Sequence, residues 1–353
     1  MKVADVDENG LVDLVVINAG TGDVGILLGN GDGTFQAQVT FPTVSDSYPP
    51  DIAVGYINHD DHLDLAVANM MANTVCLLFG NGNGTFTEKV TLSTGSDSNP
   101  SAIVLDDFNR DDHMDLAVIN HNTNSIGVLL GNGNGTFSEQ LISSIQSGCS
   151  PSSVVVGDFN RDNQSDLAVT CFAADSTHVF LGTGNSTFNL HTVLLSQARS
   201  SPTSIAVGDV NCDKRLDVAV ANGLQFNVGV SLGVGNGNFE STKTYPTGVY
   251  SRPYSMIFDD FNNDDQLDIA VTNLLGQNVG ILLGLGNGTF LEQMTYPIKA
   301  ETPHLSIAAG DFNHDRKMDL VIVDLLNSYA HVLLNTCDCC VPTGVNKCVH
   351  THP

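Results

Sequence analysis

Several residue types and patterns are scarce or missing in this chain of 353 residues. It has no tryptophan, and its 13 lysines and arginines are set against 39 aspartates and glutamates, which gives a formal net charge of −26. Nucleic-acid binding needs basic patches, so this charge balance argues against a nucleic-acid partner. No apolar run approaches the roughly 18 to 20 residues of a membrane-spanning helix, so we expect no transmembrane segment.

What the chain does contain is a nine-residue acidic loop that occurs seven times. In its third copy, residues 107–115, carboxylate or amide side chains stand at positions 1, 3, 5 and 9. Oxygen-bearing side chains at alternate positions of a tight loop converge on one point, as a hard cation such as Ca²⁺ requires. The flanking segments are short and rich in Val, Ile, Ala and Phe, so we predict that the loop joins two β-strands.

The spacing of these loops identifies a repeat protein, because position 1 recurs at every 51st residue. Residues at this position are Asp5, Tyr56, Asp107, Asp158, Asp209, Asp260 and Asp311. Positions 1, 3, 5 and 9 of the seven loops hold 20 of the 39 acidic residues. The acidity of the chain is therefore concentrated where a cation would bind.

Each repeat contains four short segments that read as strands, and none shows the 3.6-residue apolar period of a helix. In the sixth repeat the predicted strands are residues 255–258, 269–273, 279–284 and 290–296. Four strands per repeat of about 50 residues describe a blade of a β-propeller, which buries its faces only by stacking on its neighbours. We therefore predict an all-β, seven-bladed propeller, with strands A to D running outward from the axis. Phenylalanines at loop position 2 and at the start of strand D are predicted to fill the space between blades.

The two faces of such a propeller should differ. The acidic A–B loops and the Gly-Asn-Gly C–D turns share one face, and the B–C and D–A loops share the other. The B–C loops vary between blades, as a specific binding surface requires. We expect a protein or glycan ligand on this second face, with six candidate contacts: Tyr48, Phe172, Phe226, Tyr250, Tyr254 and Tyr329.

The ends of the chain depart from the repeat. The propeller is expected to span residues 1–335, followed by a cysteine-rich C-terminal tail at residues 336–353. The last blade lacks the C–D turn and the fourth strand, and Met1 leads directly into the first acidic loop without a signal peptide. We therefore expect the chain to be an N-terminally incomplete fragment with an incomplete last blade.

The D-x-[DN]-x-D-x-x-x-D loops, the DLAVAN or DLAVIN runs that follow them and the LLGNGNGTF segments resemble FG-GAP and VCBS-type repeats. Such repeats build the seven-bladed propeller of integrin α subunits and of many secreted or surface proteins. The resemblance implies Ca²⁺ held by the side chains at positions 1, 3, 5 and 9 and by the backbone carbonyl at position 7. It also implies an extracellular or cell-surface location.

The predicted calcium ligands form up to seven sites, one in each loop. They are Asp5, Asp7, Asn9, Leu11 and Asp13; Asn58, Asp60, His62 and Asp64; Asp107, Asn109, Asp111, His113 and Asp115; Asp158, Asn160, Asp162, Gln164 and Asp166; Asp209, Asn211, Asp213, Arg215 and Asp217; Asp260, Asn262, Asp264, Gln266 and Asp268; and Asp311, Asn313, Asp315, Lys317 and Asp319. Tyr56 removes a carboxylate from blade 2, which is expected to be weakest. Lys214 and Arg316 place positive charge at position 6 of blades 5 and 7, so blades 1, 3, 4 and 6 rank first.

Other side chains carry secondary expectations. Cys149 and Cys171 fall side by side in an antiparallel A–B pair and are predicted to form a disulfide, whereas Cys212 is expected to be a free, exposed thiol. The loop histidines, such as His62 and His113, are expected to face solvent. If the protein is secreted, glycosylation is expected in at least one of the sequons of Asn83, Asn134, Asn163, Asn185 and Asn287.

Three functional classes are compatible with this sequence. The first is a calcium-stabilised, non-catalytic binding or adhesion module, which we favour. The second is a lectin-like propeller, although the unequal B–C loops argue against seven equivalent sugar sites. The third is a polysaccharide lyase. The constant 51-residue spacing leaves no inserted active-site loop, and neither a G-x-S-x-G nor a phosphate-loop motif is present, so we expect no enzyme.

Overall fold

The structure is a computed structural model that describes residues 1–298, 304–324 and 330–336. These residues form 27 β-strands and no helix. Blades 1 to 3 contain β1 (Lys2–Ala4), β2 (Asp13–Asn18), β3 (Asp23–Leu27), β4 (Val39–Pro42); β5 (Asp51–Gly55), β6 (Asp64–Asn69), β7 (Thr74–Gly80), β8 (Phe86–Ser93); and β9 (Pro100–Asp106), β10 (Asp115–Asn120), β11 (Ser125–Leu129), β12 (Leu141–Ser144).

The remaining strands continue the same order. Blades 4 to 7 contain β13 (Pro151–Gly157), β14 (Asp166–Cys171), β15 (Ser176–Gly182), β16 (Phe188–Leu195); β17 (Pro202–Gly208), β18 (Asp217–Asn222), β19 (Asn227–Ser231), β20 (Lys243–Pro246); β21 (Pro253–Asp259), β22 (Asp268–Asn273), β23 (Asn278–Leu282), β24 (Met294–Pro297); and β25 (His304–Gly310), β26 (Asp319–Asp324), β27 (Ala330–Leu333). Six antiparallel sheets have four strands and the last has three. The predicted seven-bladed, all-β fold with an incomplete last blade is confirmed.

Strand B of each blade explains why the sequence reads as an apolar run rather than an alternating one. In β10, all six residues from Asp115 to Asn120 are buried, and β14, β18 and β22 show the same pattern. A strand with a neighbouring blade on both sides has no face in water, so both sets of side chains are apolar. The outer strand β24 has four exposed residues, which accounts for its polar sequence.

The fourth strand begins later than predicted in several blades. In blades 2 and 4 it starts at Phe86 and Phe188, as expected. In blade 6, Phe290 makes only an isolated β-bridge to Gly284, and the continuous strand starts at Met294. The residues of the turn therefore determine the C–D connection, but the hydrogen-bonded pairing of strands C and D is interrupted just after the turn.

Phenylalanines fill the space between blades, as predicted. Phe108 of the third acidic loop packs edge-on against Phe188 of blade 4, with ring centroids 5.4 Å apart. Both side chains belong to one buried cluster drawn from blades 3 and 4. Full burial of one such side chain contributes about 1.5–3 kcal/mol, so these contacts stabilise the stacking of successive blades.

The ring closes between blades 7 and 1 through a contact that other blade pairs also make. The backbone N–H of Gly33, in the first C–D turn, donates to the carbonyl of Phe312 in the seventh acidic loop at 2.8 Å. Gly84 donates in the same way to Val6 at 3.1 Å. Gly33 has φ +84°, and a Cβ there would lie 2.9 Å from the Leu334 side chain. The second glycine of the turn thus allows the close approach of neighbouring blades.

Of the two predictions about cysteines, one is confirmed and the other is wrong. Cys149 and Cys171 form a disulfide at the end of the A–B pair of blade 4, as predicted. The expectation of a free, exposed thiol at Cys212 is wrong, because this residue is half-buried and disulfide-bonded. Cysteines of the tail lie outside the described residues, as does most of the predicted tail itself.

Candidate metal centre

The last aspartate of each acidic loop is completely buried and holds two turns together. Asp115 accepts a hydrogen bond from the backbone N–H of Phe108 at 3.0 Å through one oxygen. Its other oxygen accepts from the N–H of Gly131, beside the C–D turn, at 2.8 Å. The same pair of bonds recurs at Asp13, Asp64, Asp166, Asp217, Asp268 and Asp319. Position 9 therefore fastens the A–B loop to the C–D turn, a function that the sequence pattern did not reveal.

Burial raises the pKa of these carboxyl groups. The pKa of Asp115 and that of Asp166 rise to about 6, that of Asp217 to about 7 and that of Asp268 to about 8. Desolvation is the largest cause, and the carboxylates at positions 1 and 5 of the same loop add repulsion. The two backbone hydrogen bonds act in the opposite direction. A cation in the loop would favour the ionised forms and lower these pKa values.

The first aspartate organises the loop backbone. Asp107 accepts hydrogen bonds from the N–H groups of Asp111 at 3.1 Å and Asp112 at 2.8 Å. Asp112, at position 6, has φ +64°, a left-handed conformation that aspartate tolerates better than most residues. Position 4 is also left-handed, for example Arg110 at +64°, which the sequence did not indicate. The carboxylate at position 1 thus holds the loop in a tight turn by accepting hydrogen bonds from the loop backbone.

The oxygens at positions 3 and 5 are held next to each other. In the third loop, the Asn109 amide donates to Asp111 at 2.9 Å, and the Asp111 N–H donates back to the Asn109 oxygen at 3.0 Å. The N–H of His113 donates to the other Asp111 oxygen at 3.0 Å. In this loop the structure therefore places the predicted side-chain oxygens at positions 3 and 5 side by side in a hydrogen-bonded turn.

The donor set of blade 1 fits a hard cation best. Carboxylate oxygens of Asp5, Asp7 and Asp13 lie within 4.8 Å of one another. One oxygen of Asp7 is buried and has no hydrogen-bond partner among the described residues. Burial, followed by the neighbouring Asp5 charge, raises the pKa of Asp7, against hydrogen bonds from Asn9. Three converging carboxylates with a free buried oxygen match the chemistry of Ca²⁺ ligation.

The loop of blade 2 is built differently. Tyr56 stands at position 1 with 48% of its surface exposed, so the carboxylate that receives two N–H groups elsewhere is missing. The N–H of Asn58 instead donates to Asp64 at 3.1 Å. His62 is not directed only to solvent: its Nδ1 lies 2.6 Å from the Glu8 carboxylate, whose hydrogen bond raises the pKa of His62.

Contacts between successive loops follow a rule that sequence reasoning missed. Position 4 of one loop meets position 7 of the next: Glu8 with His62, His59 with His113, and Cys212 with Gln266 at 3.2 Å. These pairs are 54 residues apart, which is one repeat plus three. The expectation that the loop histidines face solvent is therefore wrong for the half-buried His62 and His113, whereas His59 is exposed and also contacts the His113 ring. The separation of 54 residues is constant, so it would identify these contacts in the sequence once the packing of adjacent blades is known.

The opposite face carries the aromatic candidates with unequal exposure. Tyr48, Phe172 and Tyr250 are 53%, 41% and 71% exposed, respectively. Phe226 is half-buried and packs edge-on against Tyr250 at 5.6 Å between ring centroids. Tyr254 is half-buried in strand A of blade 6, whereas Tyr329 lies outside the described residues. The structure therefore brings two of the six candidates, Phe226 and Tyr250, into contact.

Phe226 interrupts a regular connection between the loops of this face. In blades 2 and 3 the equivalent residues, Asn73 and Asn124, accept the N–H groups of Asn99 and Ser150 in the D–A loops at 2.8 and 3.0 Å. Phe226 keeps the left-handed backbone, with φ +54°, but has no oxygen to offer. A bulky residue in this conformation is strained and marks a position where function can outweigh stability.

The fold is a seven-bladed β-propeller in which each blade carries one nine-residue acidic loop. Residues 5–67, 57–118, 107–169 and 158–220 each match the FG-GAP-like repeat family. Together these matches cover more than half of the chain, which therefore belongs to the FG-GAP-like repeat family. No curated protein sequence matches the chain. Among the described residues, no helix is long and apolar enough to cross a membrane.

Several solved structures share the fold at low sequence identity. A catalytically inactive virginiamycin B lyase from Staphylococcus aureus aligns over 94% of both chains, with 12% identity and a TM-score of 0.65. BBS1N, solved in complex with ARL6DN, aligns over 95% of this chain and 92% of its own, with 14% identity and a TM-score of 0.64. An Agrocybe aegerita lectin that recognises terminal N-acetylglucosamine aligns over 91% and 84%, with 17% identity and a TM-score of 0.61. At such identities the likeness concerns the fold alone.

Proposed function

We propose that this protein is a calcium-binding, extracellular or cell-surface propeller that acts as a non-catalytic binding or adhesion module. The observation that carries the calcium assignment is the blade 1 cluster, where three carboxylates converge and one Asp7 oxygen is buried without a partner among the described residues. Each ion would be held by the side chains at positions 1, 3, 5 and 9 and the carbonyl at position 7. Extracellular modules of this kind bind calcium with Kd values of about 10⁻⁴ to 10⁻³ M.

Calcium would stabilise the fold through the loops themselves. Repulsion between the carboxylates is a cost of folding that a bound cation removes, and the ion binds the folded loop in preference to the unfolded chain. At ten times Kd the gain is about 1.4 kcal/mol per site. The ion would also join the A–B loop to the buried aspartate that fastens the C–D turn, so loop order and blade order are coupled.

The calcium proposal is tested by counting bound ions. Asp7→Asn, combined with Asp5→Asn, should remove one equivalent of calcium in equilibrium dialysis and lower the melting temperature in calcium. Asp32→Asn is the matched control, because Asp32 lies in the exposed first C–D turn where blades 2 and 3 already have Asn83 and Asn134. An unchanged calcium count in the double variant, or a melting curve of the native chain that excess EGTA does not alter, would exclude the proposal.

The ligand surface is proposed on the face opposite the acidic loops. Phe226 and Tyr250 support this placement, because they give blade 5 an aromatic pair where blades 2 to 4 have the loop-bonding residues Asn73, Asn124 and Asp175. The solved structures with a similar fold include an enzyme, a protein-binding propeller and a lectin, so the fold alone does not identify a ligand. A protein ligand is our first proposal, since aromatic side chains dominate the energetics of protein interfaces.

A carbohydrate ligand is the second candidate, and a groove between blades 5 and 6 favours it. The groove has a volume of about 480 Å³ and is lined by Tyr245, Thr247, Asn278 and Glu292, among others. Aromatic, hydroxyl, amide and carboxylate groups together are suited to binding a sugar. Glycan-array binding that is lost in Glu292→Ala would select this candidate, whereas an array without hits would leave the protein ligand.

A further inference from the structure

Histidines are concentrated where blades 2 and 3 meet, on the face of the propeller that carries the acidic loops. The boundary between two neighbouring blades on this face is called a seam below. The chain has 11 histidines, and His59, His62 and His113 all belong to the acidic loops of blades 2 and 3. Blade 2 also contains the acidic loop in which Tyr56 replaces the carboxylate at position 1. The loop with the poorest oxygen set for calcium thus lies beside the richest set of imidazoles. Imidazole nitrogen suits zinc, copper and nickel, whereas calcium selects oxygen.

Two of these rings meet across the seam. The centroids of His59 and His113 lie 4.8 Å apart, with an angle of 63° between the ring planes. Zn–N distances of about 2.0–2.1 Å place the centroids of two imidazoles on a tetrahedral zinc about 5 Å apart. The observed separation is within a few tenths of an ångström of that value. Since His59 is exposed, its ring can rotate without disturbing the core.

The surroundings of the pair favour a cation. Nδ1 of His113 is buried and has no hydrogen-bond partner among the residues that the structure describes. The same two loops carry the carboxyl groups of Asp60, Asp61, Asp111 and Asp112 at their positions 5 and 6. Arg110, the neighbouring positive charge, donates to the carbonyl of Asp162 in blade 4 at 3.1 Å and so turns toward the next seam.

We propose that His59 and His113 form a binding site for a borderline transition-metal cation of the Zn²⁺ class at the seam of blades 2 and 3. The two imidazoles supply the nitrogen ligands, and water completes the tetrahedron. Its nitrogen ligands are side chains of the acidic loops of blades 2 and 3, whereas the predicted calcium ligand at position 7 is the backbone carbonyl of His113. A cation there would cross-link two consecutive blades at the point where the acidic loop is least complete.

The experiment measures zinc binding to the full chain in saturating calcium, with a chromophoric zinc chelator as competitor. The test variant combines His59→Asn with His113→Gln, which are the residues that blade 6 already has at these positions, Asn263 and Gln266. This variant should fold, because asparagine tolerates the left-handed backbone of His59 at φ +58°. His191→Asn, at an exposed histidine of the outer strand of blade 4, is the control.

The native chain and the His191→Asn variant should bind one equivalent of zinc that the double variant lacks. Circular-dichroism spectra of all three proteins should coincide, which shows that the loss is not a folding defect. Equal zinc binding by the native chain and the double variant overturns the proposal and leaves the ring contact as packing alone. Loss of zinc in His62→Gln with retention in the double variant also overturns it, because the ion then belongs to His62 and Glu8.

Discussion

Arg110, at position 4 of the third acidic loop, donates hydrogen bonds through its guanidinium to the main-chain carbonyls of Asp162 and Asn163 in the fourth loop. These carbonyls belong to positions 5 and 6, next to the position-7 carbonyl that is a predicted calcium ligand. A side chain of one blade therefore supports the loop backbone of the next. This arrangement makes neighbouring loops a connected series rather than seven isolated turns.

Arg110→Met should weaken calcium binding in blade 4 more than in blade 3. The substitution keeps the aliphatic stem but removes the two hydrogen bonds, so the fourth loop is less well ordered before it binds. For an exposed pair of bonds we expect about 0.5–1 kcal/mol, or roughly a two- to fivefold loss of affinity. Occupancies from calcium anomalous scattering at limiting calcium would measure it. Arg161→Met, the equivalent change one blade further, is the control; an equal effect on blade 4 would contradict the prediction.

Tyr56→Asp should turn the weakest loop into a complete one. The new carboxylate would accept the N–H groups at positions 5 and 6, as Asp107 does in blade 3. Because Tyr56 is 48% exposed, its removal costs little buried surface. We expect blade 2 to fill at the calcium concentration that fills blade 3, and the native blade 2 to stay less occupied there. Equal occupancy of the two blades in the native chain would show that the first carboxylate is not needed.

The stability of the metal-free chain should fall as the pH rises from about 4 to about 8. The buried aspartates have folded-state pKa values raised by desolvation, to about 6 for Asp115 and about 8 for Asp268, above the ordinary value of 3.8. In this window the folded state holds more protons than the unfolded state, so each rise in pH favours unfolding. The slope should be steepest between about 4 and 6, where all of these groups are still protonated only in the folded chain. Urea unfolding of dialysed protein at several pH values would measure it.

Calcium should reverse this dependence. Because the ion binds the ionised carboxylates, protons compete with it, and calcium affinity should fall as the pH is lowered from about 8 to about 5. Proton release on calcium addition at pH 6.5 is the direct readout. A calcium affinity that is constant over this range would mean that the buried aspartates are already ionised in the free protein.

Phe226→Asn should leave stability unchanged or raise it while weakening ligand binding. Asparagine suits the left-handed backbone and can accept an N–H from the D–A loop, as Asn73 and Asn124 do. Relief of strain contributes about 1 kcal/mol or more, which offsets the loss of the Tyr250 contact, worth about 0.5–1.5 kcal/mol. Thermal unfolding and binding to a discovered partner would be measured together. A clear loss of stability would show that Phe226 is a packing residue instead.

The sequence alone determined the repeat, the strand identities and the position of every acidic loop. These features are local, since a strand or a turn is specified by residues next to one another, and the 51-residue period repeats them seven times. The Cys149–Cys171 pair was also predictable, because its two residues are brought together by the register of a single hairpin. The position of the aromatic residues between blades followed from the repeat in the same way.

Only the tertiary structure decided what the individual loop residues contact. The buried aspartates act as fasteners between turns because two N–H groups, one from each turn, meet at Asp115 only after the blade has folded. The pairs formed by positions 4 and 7, such as His59 with His113, depend on the rotation between stacked blades, which no segment of one blade specifies. The free thiol expected at Cys212 was wrong for the same reason, because a cysteine's partner is chosen by distance in space and not by its place in a repeat.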